Sequence, residues 1–205
     1  IANHQTNGKG RSGNSWFSKK GDLTCSYLIN NKIEVKKIGQ VNIVITVAII
    51  DALKSIFSDL DIKLKWPNDL FLNNKKLGGI LLESQVYMNF INYFIIGFGL
   101  NIISAPSVSN YKTTKLLEYG LKPEPREIFI KIANFILNYL NNWKKSGFLF
   151  FKNRWLDCSK DIGKSIKIKK SGKFFTGKFL TIDDNGQLVM KINNNTLSFS
   201  FGEIT

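Results

Sequence analysis

The sequence has one histidine (His4), two cysteines (Cys25 and Cys158) and three arginines (Arg11, Arg126 and Arg154), and each scarcity removes a class of chemistry. No Ser-His-Asp, Cys-His or HExxH constellation can be built from a single imidazole, which excludes nucleophilic triads and zinc hydrolysis. Two distant cysteines with no CxxC spacing supply neither a zinc site nor a disulfide framework. No protein-held metal is expected, and a reducing, cytoplasmic setting fits best. Long apolar runs are also missing: Ile43 to Ile50, interrupted only by Thr46, falls far short of the ~18 residues that signal a membrane span. A soluble protein without a membrane partner is expected. There is no signal-peptide pattern, no internal repeat and no low-complexity linker. The sequence starts at Ile1 in what reads as the end of a strand, like a chain whose beginning is missing.

Apolar residues make up 43% of the 205 residues, enough to bury a real core and to exclude global disorder. Positive charge is in excess: 29 Lys and Arg against 15 Asp and Glu give a net +14, the footprint of a protein with anionic partners. Only three of these cations are Arg, the better bidentate reader of bases and phosphates. Ile (26) and Asn (22) are abundant as well, so part of the Lys excess reflects general residue usage. Charge supports an anionic partner and says little about which one.

Residues 5–22 are rich in Gly, Ser, Asn and Lys and read as a loop, followed by a strand over Leu23 to Ile29. Val41, Ile45, Ala48, Ile49, Ala52, Leu53 and Ile56 fall at helical spacing and predict an amphipathic helix to about Phe57, despite its β-branched residues. Ile62 to Trp66, Leu70 to Leu72, Lys76 to Gln85 and Asn92 to Ile102 are short, β-branched or aromatic, and separated by turn signals, predicting an antiparallel meander. Pro123 and Pro125 introduce a second long helix ending at Gly147, and a short helix is expected over Phe150 to Trp155. From Cys158 onward the pattern changes to strands over Ser165 to Lys169, Lys173 to Ile182, Gln187 to Ile192 and Thr196 to Phe201, with Asp183-Asp184-Asn185-Gly186 as a hairpin signal. This last region suggests a small open barrel.

Gly8-Lys9-Gly10-Arg11-Ser12-Gly13 spells GxGxxG but opens no helix, and it lacks P-loop spacing, so it is neither dinucleotide fingerprint. Its glycines allow close backbone approach, and Lys9 and Arg11 add two cations. An anion site and a solvated basic turn both fit. Lys65-Trp66-Pro67-Asn68-Asp69 places opposite charges at a corner in an apolar sheet, where burial forces pairing or a ligand. Gly78-Gly79 and Gly97-Phe98-Gly99 interrupt neighbouring strands, as a bulge or a close approach requires. Small residues on adjacent strands leave a trough. Lys164 to Lys178 interleaves lysines with Phe174 and Phe175, like a single-strand nucleic-acid platform, although a solvated strand face is the commoner outcome.

Taken in order, Gln5-Thr6-Asn7-Gly8-Lys9-Gly10-Arg11, Trp16, Lys65-Trp66-Pro67-Asn68-Asp69, Lys76-Leu77-Gly78-Gly79-Ile80-Leu81-Leu82-Glu83 and Gly97-Phe98-Gly99-Leu100-Asn101 resemble the biotin protein ligases. The resemblance covers nearly the whole chain. It implies an α+β fold: a mixed, largely antiparallel sheet with helices, class II synthetase-like, over 1–157, and a small C-terminal SH3-like β-barrel over 158–205. It also implies an enzyme that converts biotin and ATP, with Mg²⁺, to biotinyl-5'-adenylate and transfers biotin to a lysine of a biotin carboxyl carrier domain.

By matching motifs, Arg11 and Lys76 are the expected catalytic residues, and Gln5, Gly8, Lys9 and Gly10 contact biotin or adenylate. Trp16 packs beside the adenylate, and Asn101 contacts adenine. Lys65, Asn68 and Asp69 sit near the reaction centre, while Gly78, Gly79, Gly97 and Gly99 form the floor. Lys9 stands where the family often has Arg, which weakens bidentate geometry. The family's Ser-Thr-Asn-type motif lies upstream of the position matching Gln5, so either a truncated chain or a degenerate ligase that only binds the carrier is consistent. Lipoate ligases fit less well, because their Arg-rich Gly loop is absent. No helix-turn-helix is seen, so specific DNA binding is not expected, and a homodimer is left open. A noncatalytic basic nucleic-acid-binding protein is the alternative from another class.

Overall fold

In the computed structural model, which describes residues 1–107 and 112–204, the β-branched run at 43–50 is helical because almost every side of it is buried. Helix α1 (Ile38–Ile56) buries Val41, Ile43, Val44, Ile45, Val47, Ile49 and Ile50. Tertiary burial outweighs the χ1 entropy that makes such residues weak helix formers. The helical stretch Val35–Ile56 is long and apolar enough to cross a membrane by length and composition. Here its apolar surface is used by α2 (Pro125–Ser146) and α3 (Leu149–Cys158), which pack on it. Asp51 of α1 ties the three together: it accepts hydrogen bonds from Arg154 Nη2 at 2.6 Å and Tyr139 Oη at 3.0 Å.

The helices cover one face of an antiparallel sheet with the order β3-β7-β6-β5-β4. Its strands are β3 (Leu23–Glu34), β4 (Ile62–Lys65), β5 (Asp69–Leu72), β6 (Lys75–Tyr87) and β7 (Phe90–Leu100). Strand alternation sends Phe94, Ile96, Phe98 and Leu100 into the core and leaves Ile95, Gly97 and Gly99 on the other face. Strand β3 runs five residues beyond the expected Ile29. It continues through Asn30 and Asn31 because Ile33 and Glu34 pair with Ile91 and Phe90 across an irregularity in the ladder.

Strands β8 (Ser165–Lys170), β9 (Lys173–Ile182), β10 (Leu188–Ile192), β11 (Asn195–Phe199) and β12 (Glu203–Ile204) form a second antiparallel sheet with the order β11-β10-β9-β8-β12. Among the described residues β11 and β12 do not pair with each other, so the sheet is open and no barrel closes. The expected 158–205 unit ends at Thr205, which lies outside the described residues. The second sheet shares its core with the first: Trp155 of α3 packs on Phe179 of β9 at 6.3 Å between ring centroids, and Lys160 N donates to Leu64 O at 2.9 Å.

Candidate active site

The glycine loop is a miniature hairpin. Strand β1 (Gly8–Lys9) pairs with β2 (Ser15–Trp16), and the turn between them places Ser12 and Gly13 at positive φ. Gly10 N donates to Asn14 O at 2.7 Å and Asn14 N to Arg11 O at 3.0 Å, which closes the turn. A Cβ on Gly8 would strike the Trp16 carbonyl, so Gly8 is there to let the two strands meet; it does not line the cavity described below. The hairpin lowers Trp16 onto the uncovered face of the sheet, where its indole lies directly on Gly99 and within 3.5 Å of the position a Gly79 Cβ would take. The trough expected from the glycine pairs exists, and a tryptophan occupies its end.

Below the hairpin, one row of residues crosses all five strands in register: Lys65, Asp69, Gly79, Gly99 and Thr24. Lys76 Nζ sits 2.8 Å from Asp69 Oδ1. Arg11 Nη1 donates to Asn68 Oδ1 at 3.2 Å. Asn68 is itself fixed by β6, its Nδ2 donating to Ile80 O and its own carbonyl accepting from Ile80 N. Burial lowers the pKa of Arg11, opposed by the charges of Asp69 and Glu203. Burial lowers that of Lys65 too, against Asp69 and Asp161. Several cations are thus held partly out of water around few carboxylates, a field that suits an anion with more than one charge.

These groups surround one cavity of about 760 Å³, within the range of small-molecule and cofactor sites. Gln5, Lys9, Gly10, Arg11 and Trp16 line it from the hairpin. The sheet contributes Lys65, Asn68, Asp69, Lys76, Gly79, Gly97 and Gly99. Arg11 and Lys76, 65 positions apart in sequence, therefore face one hollow.

Besides Gly8, two expected residues lie elsewhere. Gly78 is on the opposite face from Gly79, where a Cβ would meet Gly99 O at 2.7 Å and the side chains of Leu70 and Leu100, so only Gly79, Gly97 and Gly99 pave the floor. Asn101 is buried beyond the end of β7, its Nδ2 donating to Thr114 O at 3.0 Å, and does not line the cavity.

The remaining wall comes from the second sheet: Lys167, Lys169, Phe174 and Glu203. The sequence reading favoured a solvated strand face for this lysine-rich stretch. Ile166 and Ile168 are buried while Lys167 and Lys169 alternate outward, and that outward side meets the cavity. The alternation was the available signal, but nothing local to the stretch shows what the face looks at.

Asp22, also unremarked in the sequence, holds the loop after β7. Its Oδ1 accepts from Ile102 N at 2.9 Å, Ile103 N at 2.8 Å and Ser104 N at 3.0 Å.

Both cysteines are buried and free. Burial pushes the Cys25 thiol up to about 11 and raises that of Cys158 as well. Thiolate is the reactive form, so neither should react appreciably with a disulfide reagent at pH 7.5 in the folded protein, and two thiols should titrate after denaturation. A rapid native reaction of either would contradict this environment.

Comparison with known proteins agrees with this geometry. The model of the biotin/lipoate A/B protein ligase family matches residues 1–101, and that of the biotin protein ligase C terminal domain matches residues 161–205. The bifunctional ligase/repressor BirA of Bacillus subtilis is 27% identical over 199 residues, covering 94% of this chain and 61% of that protein. A human biotin-protein ligase is 36% identical over 112 residues, covering 51% of this chain and 15% of that protein. This chain thus spans about three fifths of the length of the Bacillus relatives, 61% and 60%. Among solved structures, biotin protein ligase from Aquifex aeolicus in complex with biotin and ATP superposes with a TM-score of 0.83 at 26% identity, covering 99% of this chain and 85% of that one. With matches at both ends of the sequence and a fold shared over nearly its full length, the chain belongs to the biotin protein ligase family.

Proposed function

We propose that this chain activates biotin with ATP to biotinyl-5'-adenylate, releasing pyrophosphate, and then transfers the biotinyl group to a lysine of a biotin carboxyl carrier domain. The observation that carries the reading is the convergence of Arg11 and Lys76 on one cavity whose floor is stripped of side chains at Gly79, Gly97 and Gly99. Relatives with related names, and an Aquifex aeolicus relative holding biotin and ATP, support it.

In the first step the biotin carboxylate attacks the α-phosphate. The attacking oxygen and the phosphates are all negative, so the protein's task is to bring like charges together and to stabilise those that build up on the phosphate oxygens. Arg11, pinned by Asn68, and Lys76, pinned by Asp69, are cations whose directions are set before any ligand arrives. Such preorganisation avoids reorienting solvent during the reaction. Lys9, Lys65, Lys167 and Lys169 add positive charge around the same hollow, and the floor at Gly97 leaves room for a flat ring system beside the Trp16 indole that covers Gly99. The Trp16 indole nitrogen has no hydrogen-bond partner among the described residues and flanks that floor.

The cavity suits Mg²⁺ arriving with the nucleotide. Among the described residues there is no cluster of three or more His, Cys, Asp or Glu to cage an ion, whereas Mg²⁺ is commonly held by one or two carboxylates plus substrate phosphates. Asp69, Glu83 and Glu203 are the cavity carboxylates that would face it, and it would neutralise phosphate charge.

In the second step the carrier lysine attacks the carbonyl of the mixed anhydride and AMP leaves, with no covalent enzyme intermediate. A cytoplasmic location fits this chemistry. Incubating the full chain with ATP, Mg²⁺, biotin and an apo carrier domain should add one biotin per carrier. A carrier that stays unmodified while the chain still binds it would instead identify a degenerate ligase.

A further inference from the structure

The second sheet supplies a wall of the cavity, yet it is also gripped far from the cavity. Strand β9 has ten residues and so spans roughly 30 Å. Near its start Phe174 lines the cavity, and beside it β8 carries Lys167, paired with Thr176, and Lys169, paired with Phe174. Its far end runs into the hairpin 183–186, which sits on the first turn of α1.

That contact is backbone against backbone. A Cβ on Gly39 would collide with the carbonyl of Asn185, and one on Gly186 would collide with the backbone of Gly39 and Gln40. Gly186 also needs its positive φ of 77°. Around the two glycines, Gln40 Nε2 donates to Asp184 O at 2.6 Å, and Gln40 Oε1 accepts from Trp143 Nε1 at 3.0 Å. Asp183 Oδ1 rigidifies the hairpin by accepting from Asn185 N and Gln187 N, both at 2.9 Å. The Lys152–Asp184 ion pair at 2.8 Å is added at the surface, where Asp184 is 91% exposed and the pair contributes little.

We propose that Gly39, Gln40 and Gly186 are positioning residues: their clasp sets the angle of β9 and thereby holds Lys167, Lys169 and Phe174 over the nucleotide phosphates. The proposal rests on the ligase reading. A wedge at one end of a strand bonded on both sides, to β8 and β10, displaces the other end, because the glycine contact has no side chain that could yield. Gly39→Ala is a clean wedge: in an α-helix Ala is favoured over Gly, so α1 itself gains, and only the docked hairpin must move. Gln40→Ala removes the side-chain half of the clasp without adding volume.

The test is biotin-dependent pyrophosphate release by the wild type and both variants, with binding of a nonhydrolysable ATP analogue measured by calorimetry. Gly39→Ala should raise KM for ATP about tenfold and weaken the analogue equally, since a wedge in a packed contact forces backbone shifts. Gln40→Ala should give about threefold by the same route. KM for biotin and kcat at saturating ATP should stay near wild type in both. A loss of kcat with KM for ATP unchanged, or parallel rises for ATP and biotin, would overturn the clasp. A wild type that binds the analogue but releases no pyrophosphate with biotin would reject the ligase reading, and the analogue affinities would still decide the clasp.

Discussion

Arg11→Ala is expected to slow adenylate formation by about 10²- to 10³-fold, the usual loss when one preorganised donor to developing negative charge is removed. The fold should barely notice. Arg11 sits on the turn of the β1–β2 hairpin and, among the described residues, makes one side-chain hydrogen bond, to Asn68, at the edge of the cavity. Losing a bond of that kind costs roughly 1 kcal/mol, and a chain of this size loses about 2–4 °C of Tm per kcal/mol. Arg11→Lys should recover part of the rate, because charge is retained while the planar fork is lost. Rapid-quench measurement of adenylate, with Tm measured on the same samples, checks both statements. An unchanged rate, or a rate that falls only in step with Tm, would remove Arg11 from the chemistry.

Trp155→Ala should produce the largest stability loss, about 3–5 kcal/mol for an aromatic removed from a packed core and hence roughly 6–20 °C in Tm. Trp155 is fully buried and joins α3 to Phe179 of β9, in a cluster that runs without a break from the helices into the second sheet. We propose that residues 1–157 and 158–205 are distinct units in architecture but melt together, because this core and the Leu64–Ser159 bridge span the boundary. Calorimetry should show one transition moving downward. Two transitions, with only the earlier one shifted, would mean that the second sheet unfolds by itself.

Helices α1 and α2 and strands β4 to β7 were legible because their information is periodic and local. Seven apolar positions at helical spacing specify α1 even through β-branched residues, and the turn residues between β4 and β7 mark each reversal. The glycine trough was legible for the same reason, since positions 97 and 99 share a face by alternation alone. That rule also separates Gly78 from Gly79 and turns Gly78 toward Leu70 and Leu100, away from the floor. Asn101 was placed at the ligand by resemblance, but β7 ends at Leu100 and the buried amide beyond it is used to hold Thr114.

What was not legible depends on contacts between distant segments. The extension of β3 through two asparagines needs Ile91 and Phe90 opposite it. Lys167, Lys169 and Glu203 reach the cavity only because the second sheet is docked across the first, so their sequence pattern shows an exposed face without showing its target.

The most direct test of the account is pyrophosphate release by the purified chain given ATP and Mg²⁺, measured with and without biotin and in the absence of any carrier. The account predicts release that requires biotin, stops after about one equivalent per protein because the adenylate stays bound, and leaves an acid-labile biotin-AMP conjugate. Release that is indifferent to biotin, or none at a concentration where ATP is bound, would contradict it.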